Sequence, residues 1–172
     1  MNDQCLIIMA DFRDRFLKDI KLNIIDLGSQ VINHPDQVKV GSFKKIFNRP
    51  KWKYTGADTA EGINVDIILQ SQYKWQFADG QFDVVISGNT IEHVERPWEW
   101  FIEAARILKP GGMMCVIAPS MWRWHRYPLD CYRFYPDGMK ALAEYSGLEF
   151  IESKLTDRIE HYQLCHMIAR KP

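Results

Sequence analysis

Four residues in the second half of the chain have the chemistry to move a proton. Glu92 and His93 are adjacent, and His125 precedes Asp130 by five residues. An imidazole titrates near neutral pH, so His93 is a candidate general base. The alternative is that Glu92 and His93 form a structural pair at the start of a helix. His125 and Asp130 could form a second acid–base pair, with the carboxylate orienting the ring. The alternative there is a self-packed loop in which Asp130 pairs with Arg133. Around them run Trp122, Trp124, Arg126, Tyr127 and Tyr132. A segment so dense in aromatics and charge suits a substrate-facing wall or lid.

These side chains need a scaffold, and Phe82–Gly112 supplies its centre. Val84, Val85 and Ile86 form a β-branched run of the kind found in strands covered on both faces. A polar loop follows: Ser87, Gly88, Asn89, Thr90. Pro97 suits the first turn of a helix, where its missing N–H costs nothing. Phe101, Ala105 and Leu108 recur at helical spacing. Lys109-Pro110-Gly111-Gly112 should stop that helix and reverse the chain. Met113–Ala118 is then another strand, giving a strand–helix–strand crossover.

The block resembles the later half of a class I S-adenosylmethionine-dependent methyltransferase of the type 11 kind. The resemblance rests on the acidic strand start, the Glu92-His93 pair, and Leu108-Lys109-Pro110-Gly111-Gly112 before an apolar strand. The pattern His125-x-x-Pro128-x-Asp130-x-x-Arg133-Phe134 is also similar to members of that family. The resemblance covers about residues 22–169.

Earlier in the chain, Leu22–Leu27 reads as a first strand ending at Asp26-Leu27-Gly28-Ser29-Gln30. An α/β nucleotide site places its first turn here, and a side chain on Gly28 would obstruct a nucleoside approaching the backbone. Gly28 also fits an ordinary turn. In the methyltransferase family this turn usually reads as an acidic residue followed by Gly-x-Gly-x-Gly. Only Gly28 is in place, with Gly41 later, ahead of the amphipathic stretch Phe43–Phe47. A second strand, 53–58, ends at Asp58, about 30 residues beyond Gly28, where an acidic side chain can accept ribose hydroxyls. The resemblance implies that role for Asp58, with Thr59 beside it. A third strand, 64–69, precedes Gln70 and Ser71, where the resemblance implies an acidic or polar residue against the adenine amino group; Gln70 could supply that contact, or be a plain loop glutamine. It sets Ser87, Gly88 and Asn89 near the methionine half of the donor, with Asp26, Gly28 and Ser29 at the first turn. The link 59–64 is too short for a crossover helix. Tyr73, Trp75 and Phe77 alternate, and could wall the adenine or pack under the sheet.

At the ends of the chain, Met9, Phe12, Phe16 and Ile20 mark a short amphipathic helix over 9–20, giving an N-terminal segment 1–20. It could cover an edge of the sheet or the mouth of a pocket. Asp137-Gly138 starts a last helix with Gly147 as its stop. Strands 148–155 and 162–169 follow with no helix between them, which suggests an antiparallel hairpin. Together with the resemblance, these elements imply an α/β fold: one Rossmann-like methyltransferase domain over 1–172, with a mostly parallel seven-stranded sheet, an antiparallel C-terminal hairpin and pared-down helices.

Composition limits the function. Lysine plus arginine and aspartate plus glutamate are 22 each. That balance argues against a dedicated nucleic-acid partner. The cluster Lys44, Lys45, Arg49, Lys51 and Lys53 reads as a solvated helix end and loop. Cys5, Cys115, Cys131 and Cys165 lack metal or redox spacing, and no metal-ligand constellation is evident. Cys115 and Cys165 fit a reduced core. Leu6–Ala10 is too short for a signal-peptide core, and no run is long enough to span a membrane. A cytoplasmic placement is simplest. A Trp98–Trp100 edge could pack against the sheet or against a second copy in a homodimer.

The expected activity is S-adenosylmethionine-dependent methyl transfer to an oxygen or nitrogen of a small-molecule or glycan-like acceptor. A non-catalytic, methyltransferase-like binding module is the alternative, favoured by the sparse glycine turn and the missing crossover helix. A nicotinamide reductase is disfavoured by the absence of Gly-x-Gly-x-x-Gly and of a Tyr-x-x-x-Lys pair, and by the terminal hairpin.

Overall fold

The computed structural model describes residues 3–31 and 42–172. Alternation along two strands builds both sides of the core. Ile24, Val84 and Ile86 face one side of the sheet, and Ile25, Leu27 and Val85 face the other, as the two-residue period of a strand requires. These side chains lie on β1 (Leu22–Leu27) and β4 (Phe82–Gly88), which pair in parallel at the sheet centre.

From there the sheet extends in two directions. On one side β2 (Trp52–Asp58) and β3 (Ile67–Ile68) continue in parallel. On the other side β5 (Leu108–Met121) pairs with β4 in parallel, and β7 (Gln163–Arg170) lies antiparallel between β5 and β6 (Glu149–Leu155). The order is β3-β2-β1-β4-β5-β7-β6. The C-terminal hairpin is present, with β6 at the edge of the sheet.

One face is covered by α1 (Asp3–Phe16) and a 3-10 turn at Phe43–Lys45. Met9, Phe12, Phe43 and Phe47 pack there on Ile24, Val84, Ile117 and Ile168. The helix thus starts before residue 9 and ends before Ile20, which is exposed. It covers a sheet face rather than an edge. The other face carries α2 (Pro97–Ile107) and α3 (Pro136–Tyr145), through Trp100, Phe101, Ala104, Met139 and Ala143. A fully buried side chain such as Phe101 contributes about 2–3 kcal/mol by leaving water.

Several boundaries differ from expectation for physical reasons. β3 is only two residues long. Its neighbours Asn64 and Asp66 turn their side chains to the backbone of Ser29 and Gly56 instead of extending the ladder. Trp75 and Phe77 sit in the core, whereas Tyr73 lies at its margin under the Arg96 guanidinium. Arg106 holds this helix-free link between β3 and β4. It donates to the carbonyls of Trp75 and Phe77 and pairs with Glu103 and Asp79. Lys109–Gly112 does not reverse the chain. It forms a bulged start to β5, where Phe82 pairs with Leu108 and Val84 with Met113. Gly111 N–H donates to Lys171 O there. Trp100 is 3% exposed and meets Trp75 edge-on at 5.7 Å, so only Trp98, at 40%, remains at the surface.

Cys115 and Cys165 are buried and unbridged. Three members of the basic cluster pair with acids: Lys44 with Asp66, Arg49 with Asp14 and Lys51 with Asp19. Gly41 lies outside the described residues. No helix among the described residues is long and apolar enough to cross a membrane.

Candidate functional site

The chain leaves β1 toward β2 and leaves β4 toward β5, in opposite directions across the sheet. The crevice above the carboxyl ends of these two strands is therefore the topological switch point, where open α/β sheets bind ligands. Hydrogen bonds tie its walls together. Ser87 Oγ donates to Leu27 O at 2.7 Å, and Gly28 N–H and Ser29 N–H both donate to Ala57 O. Gly28 has φ +77°, and a Cβ built on it would lie 2.1 Å from Thr90 Oγ1. Its missing side chain admits Thr90, which sequence reasoning placed in a loop without a role.

Ser29 is enclosed. Its hydroxyl donates to Asn64 O at 2.9 Å, and Asn64 Nδ2 returns a bond to Ser29 O at 3.0 Å. Asp26 is buried and accepts a hydrogen bond from the Tyr54 hydroxyl. Burial pushes its carboxyl up to about 7; the Tyr54 bond opposes this and the nearby Asp58 charge adds to it. Asp58 is half-buried at the end of β2. It accepts from Gln30 N–H at 3.1 Å and Ala60 N–H at 3.3 Å, so it shapes the turn after β1. Thr59 beside it is exposed. Gly88 meets the Phe43 ring, where an added Cβ would come within 2.7 Å. Asn89 (φ +55°) donates its side-chain amide to Cys5 Sγ, and its Oδ1 is buried without a hydrogen bond among the described residues. Gln70 is exposed and Ser71 half-buried. They follow β3, two strands out from β1, and Ser71 Oγ accepts from Tyr73 N–H.

The second group of residues gathers beyond β4. Residues Ile91–His93 form a single 3-10 turn. The backbone carbonyl of Glu92 accepts from Cys131 N–H at 2.7 Å and Tyr132 N–H at 3.2 Å, which draws the aromatic loop onto it. The Asp130 carboxylate organises that loop. It forms a two-pronged pair with Arg133, accepts from His125 N–H at 2.6 Å, and lies 3.4 Å from His125 Nδ1. The Arg133 guanidinium holds Asp130 at about 2, well below the usual carboxylate range. Of the two readings open for Asp130, the structural ion pair is present, and the ring of His125 stands beside it.

The two imidazoles converge. His93 and His125 meet edge-on with centroids 5.0 Å apart, and Tyr127 flanks His93 at 6.5 Å. His93 Nδ1 is bound to the Leu129 carbonyl, and its Nε2 lies 3.7 Å from a Glu92 carboxylate oxygen. Burial lowers the affinity of His93 for a proton, the Leu129 carbonyl opposes this, and His125 adds to the lowering. Glu92 is fully buried, and neither carboxylate oxygen has a hydrogen-bond partner among the described residues. That burial pushes its carboxyl up to about 8. Glu92, His93 and His125 each offer a ligand atom, all within 4.8 Å of one another. Sequence spacing hid this group, because His125 arrives from 32 residues downstream.

One further bond joins the two groups: Tyr127 Oη donates to Gln30 Oε1 at 2.9 Å, while Gln30 Nε2 donates to Glu61 O. Neither Gln30 nor Tyr127 carried a signal for this contact in the sequence.

Comparison with known proteins gives the same direction. Residues 42–116 match the family model described as a methyltransferase domain. A relative from Mycobacterium tuberculosis, described as an uncharacterized methyltransferase, is 44% identical over 73 residues, 40% of this chain and 27% of its own length. The chain thus spans about a quarter to a third of the curated relatives it matches. Among solved structures, a Burkholderia thailandensis 1,6-didemethyltoxoflavin-N1-methyltransferase with bound S-adenosylhomocysteine superposes with a TM-score of 0.72. It is 13% identical, covering 98% of this chain and 79% of that one. The [4+2]-cyclase SpnF superposes at 0.71 with 13% identity, over 96% and 81% of the two chains. At these identities the superpositions establish the fold.

Proposed function

We propose that this chain, which resembles a methyltransferase domain in sequence over residues 42–116 and methyltransferases in fold, binds S-adenosylmethionine and transfers the methyl group to an oxygen or nitrogen acceptor. The observation that carries the reading is the convergence of Gly28, Asp58 and Thr90 at the switch point with two imidazoles beside it. In this reading Asp58 takes the ribose hydroxyls. The backbones of Gly88 and Asn89 border the methionine half of the donor, with Ser87 buried beneath them on the Leu27 carbonyl, and Thr59, Gln70 and Ser71 border the adenine. Asp26 and Ser29 act from beneath: each is buried and bonded within the protein, and so holds the turn in shape.

The sulfonium is intrinsically reactive, so most of the catalysis comes from holding the acceptor atom in line with the methyl group. The acceptor must also lose a proton. His93 is oriented for this, with Nδ1 fixed on the Leu129 carbonyl and Nε2 left to accept. As the acceptor oxygen or nitrogen bonds to the methyl carbon, the carbon–sulfur bond breaks and S-adenosylhomocysteine leaves with the electron pair. His125 and the aromatic loop face the acceptor, which fits a small polar molecule or a glycan. The Burkholderia neighbour, with its small acceptor and bound S-adenosylhomocysteine, supports this reading.

A second reading, a non-catalytic module, draws on the same turn. The space a Gly28 side chain would take is filled by Thr90, and Asp26 is sealed against Tyr54. Incubation with methyl-labelled donor and a panel of hydroxylated and amino acceptors separates the two. Donor binding with label transfer supports the enzyme; donor binding without transfer to any acceptor supports the module.

A further inference from the structure

We infer that Glu92, His93 and His125 form a binding site for one first-row divalent transition-metal ion of the zinc or cobalt type. The cluster has the features such a site requires. Each imidazole has its Nδ1 engaged by the protein: His93 by the Leu129 carbonyl, His125 by the Arg123 carbonyl at 3.1 Å with Asp130 at 3.4 Å. That is how metal-binding histidines are held, with the second nitrogen on a carbonyl or carboxylate and Nε2 presented to the ion.

The third ligand is the independent observation. Glu92 is fully buried, yet both carboxylate oxygens lack a hydrogen bond among the described residues. A buried polar group left unpaired carries a large desolvation cost. His93 Nε2 is 3.7 Å from one of these oxygens. A cation between them would satisfy the carboxylate and both imidazoles at once.

Dimensions and access agree. A tetrahedral zinc-type ion about 2.1 Å from each ligand sets ligand atoms about 3.4 Å apart. The three groups, already within 4.8 Å of one another, reach that spacing by a shift of about an ångström. The side chains of His93 and His125 are 14% and 33% exposed, so the ion enters from the loop side while Glu92 closes the floor. Two nitrogens and one carboxylate select a transition metal over magnesium or calcium, which prefer oxygen cages. Three protein ligands also leave a coordination position open, as in catalytic rather than structural sites. The site stands on these residues whatever the turn after β1 binds. Only a role in ionising an acceptor hydroxyl, in place of a free imidazole, rests on the methyl-transfer reading.

The test is a Co2+ titration of the untagged, chelator-stripped chain carrying Cys131→Ser, which removes the exposed thiol. Visible absorption and calorimetry are read together. The expected result is one equivalent bound with the d–d bands of a nitrogen- and oxygen-ligated ion. His125→Ala and Glu92→Gln should each weaken binding at least tenfold, and His161→Ala, at an exposed turn between β6 and β7 and outside the cluster, should not. Circular dichroism of each variant establishes that it is folded before its affinity is compared. The site is overturned by the absence of saturable Co2+ binding to the folded chain, by unchanged affinity in either His125→Ala or Glu92→Gln, by an equal loss in His161→Ala, or by tighter binding of Mg2+ or Ca2+. Donor titration in excess chelator is run separately, so failure of the metal site and failure of the methyl-donor reading are distinguishable.

Discussion

The Tyr127 hydroxyl donates to Gln30 Oε1 at 2.9 Å, binding the loop after β5 to the turn after β1 across 97 residues of chain. The two groups of candidate residues are joined through this bond. One hydrogen bond of this kind contributes about 0.5–1.5 kcal/mol net. Tyr127→Phe should therefore lower stability by about 0.5–1.5 kcal/mol, and, by freeing the loop from the turn after β1, should also weaken S-adenosylmethionine binding. Calorimetric titration beside a melting curve checks both parts.

Gly28 and Gly138 make a contrasting pair. At Gly28, φ is +77° and an added Cβ would collide with Thr90; at Gly138, in α3, a Cβ meets nothing within 4 Å. Gly28→Ala should destabilise the chain by about 2–4 kcal/mol through strain and overlap. Gly138→Ala should be neutral or stabilise by up to about 1 kcal/mol, because alanine favours the helix. Urea unfolding of the two variants measures the difference directly.

Burial of Glu92 gives a pH dependence with a definite sign. Its ordinary value is 4.5 and its folded value about 8, so between these the folded chain holds a proton that the unfolded chain has lost. Stability is therefore undiminished by this group below about pH 4.5, and falls as the pH rises through about 8. Asp26, pushed up to about 7, acts in the same direction. In chelator, Glu92→Gln should flatten the decline between about pH 5 and 8 relative to the unaltered chain, as read by melting temperature against pH.

Arg106 replaces a missing crossover. It donates to the backbone of the helix-free link 69–81 and neutralises Glu103, whose carboxylate also accepts from Trp75 N–H. Arg106→Ala leaves Glu103 buried without its cation and frees the link. Loss of a partly buried pair of this kind should cost about 2–4 kcal/mol. Denaturant titration, with protease cleavage within 69–81 as the local readout, tests it.

The strands were legible where apolar runs are long enough to show their period, as at Ile24–Leu27 and Val84–Ile86. The terminal hairpin followed from two such runs without a helix between them. Lys109–Gly112 read as a stop because proline and glycine break helices; here the helix ends at Ile107 and the same residues open β5 as a bulge, paired to Lys171. Hydrophobic type alone could not separate Trp98 from Trp100, two positions apart on one helix with opposite burial. At the site, Gly28 was legible as a turn, but Thr90, the residue that requires the glycine, was not. The meeting of Glu92 and His93 with His125 depends on the loop being drawn in by the Glu92 carbonyl, a backbone bond that no side-chain pattern encodes.

Binding of S-adenosylmethionine at the switch point is the property from which the proposed activity follows. Asp58 sits there with its carboxylate already capping the Gln30 amide, so a variant that keeps the cap is needed beside one that removes it. Calorimetric titration of the chain with S-adenosylmethionine and S-adenosylhomocysteine, alongside Asp58→Asn and Asp58→Ala, measures that binding. Saturable, equimolar binding of both ligands is expected, weakened at least tenfold in both variants while they remain folded by circular dichroism. No binding of either ligand to the folded chain, or equal affinity in Asp58→Ala, would contradict it.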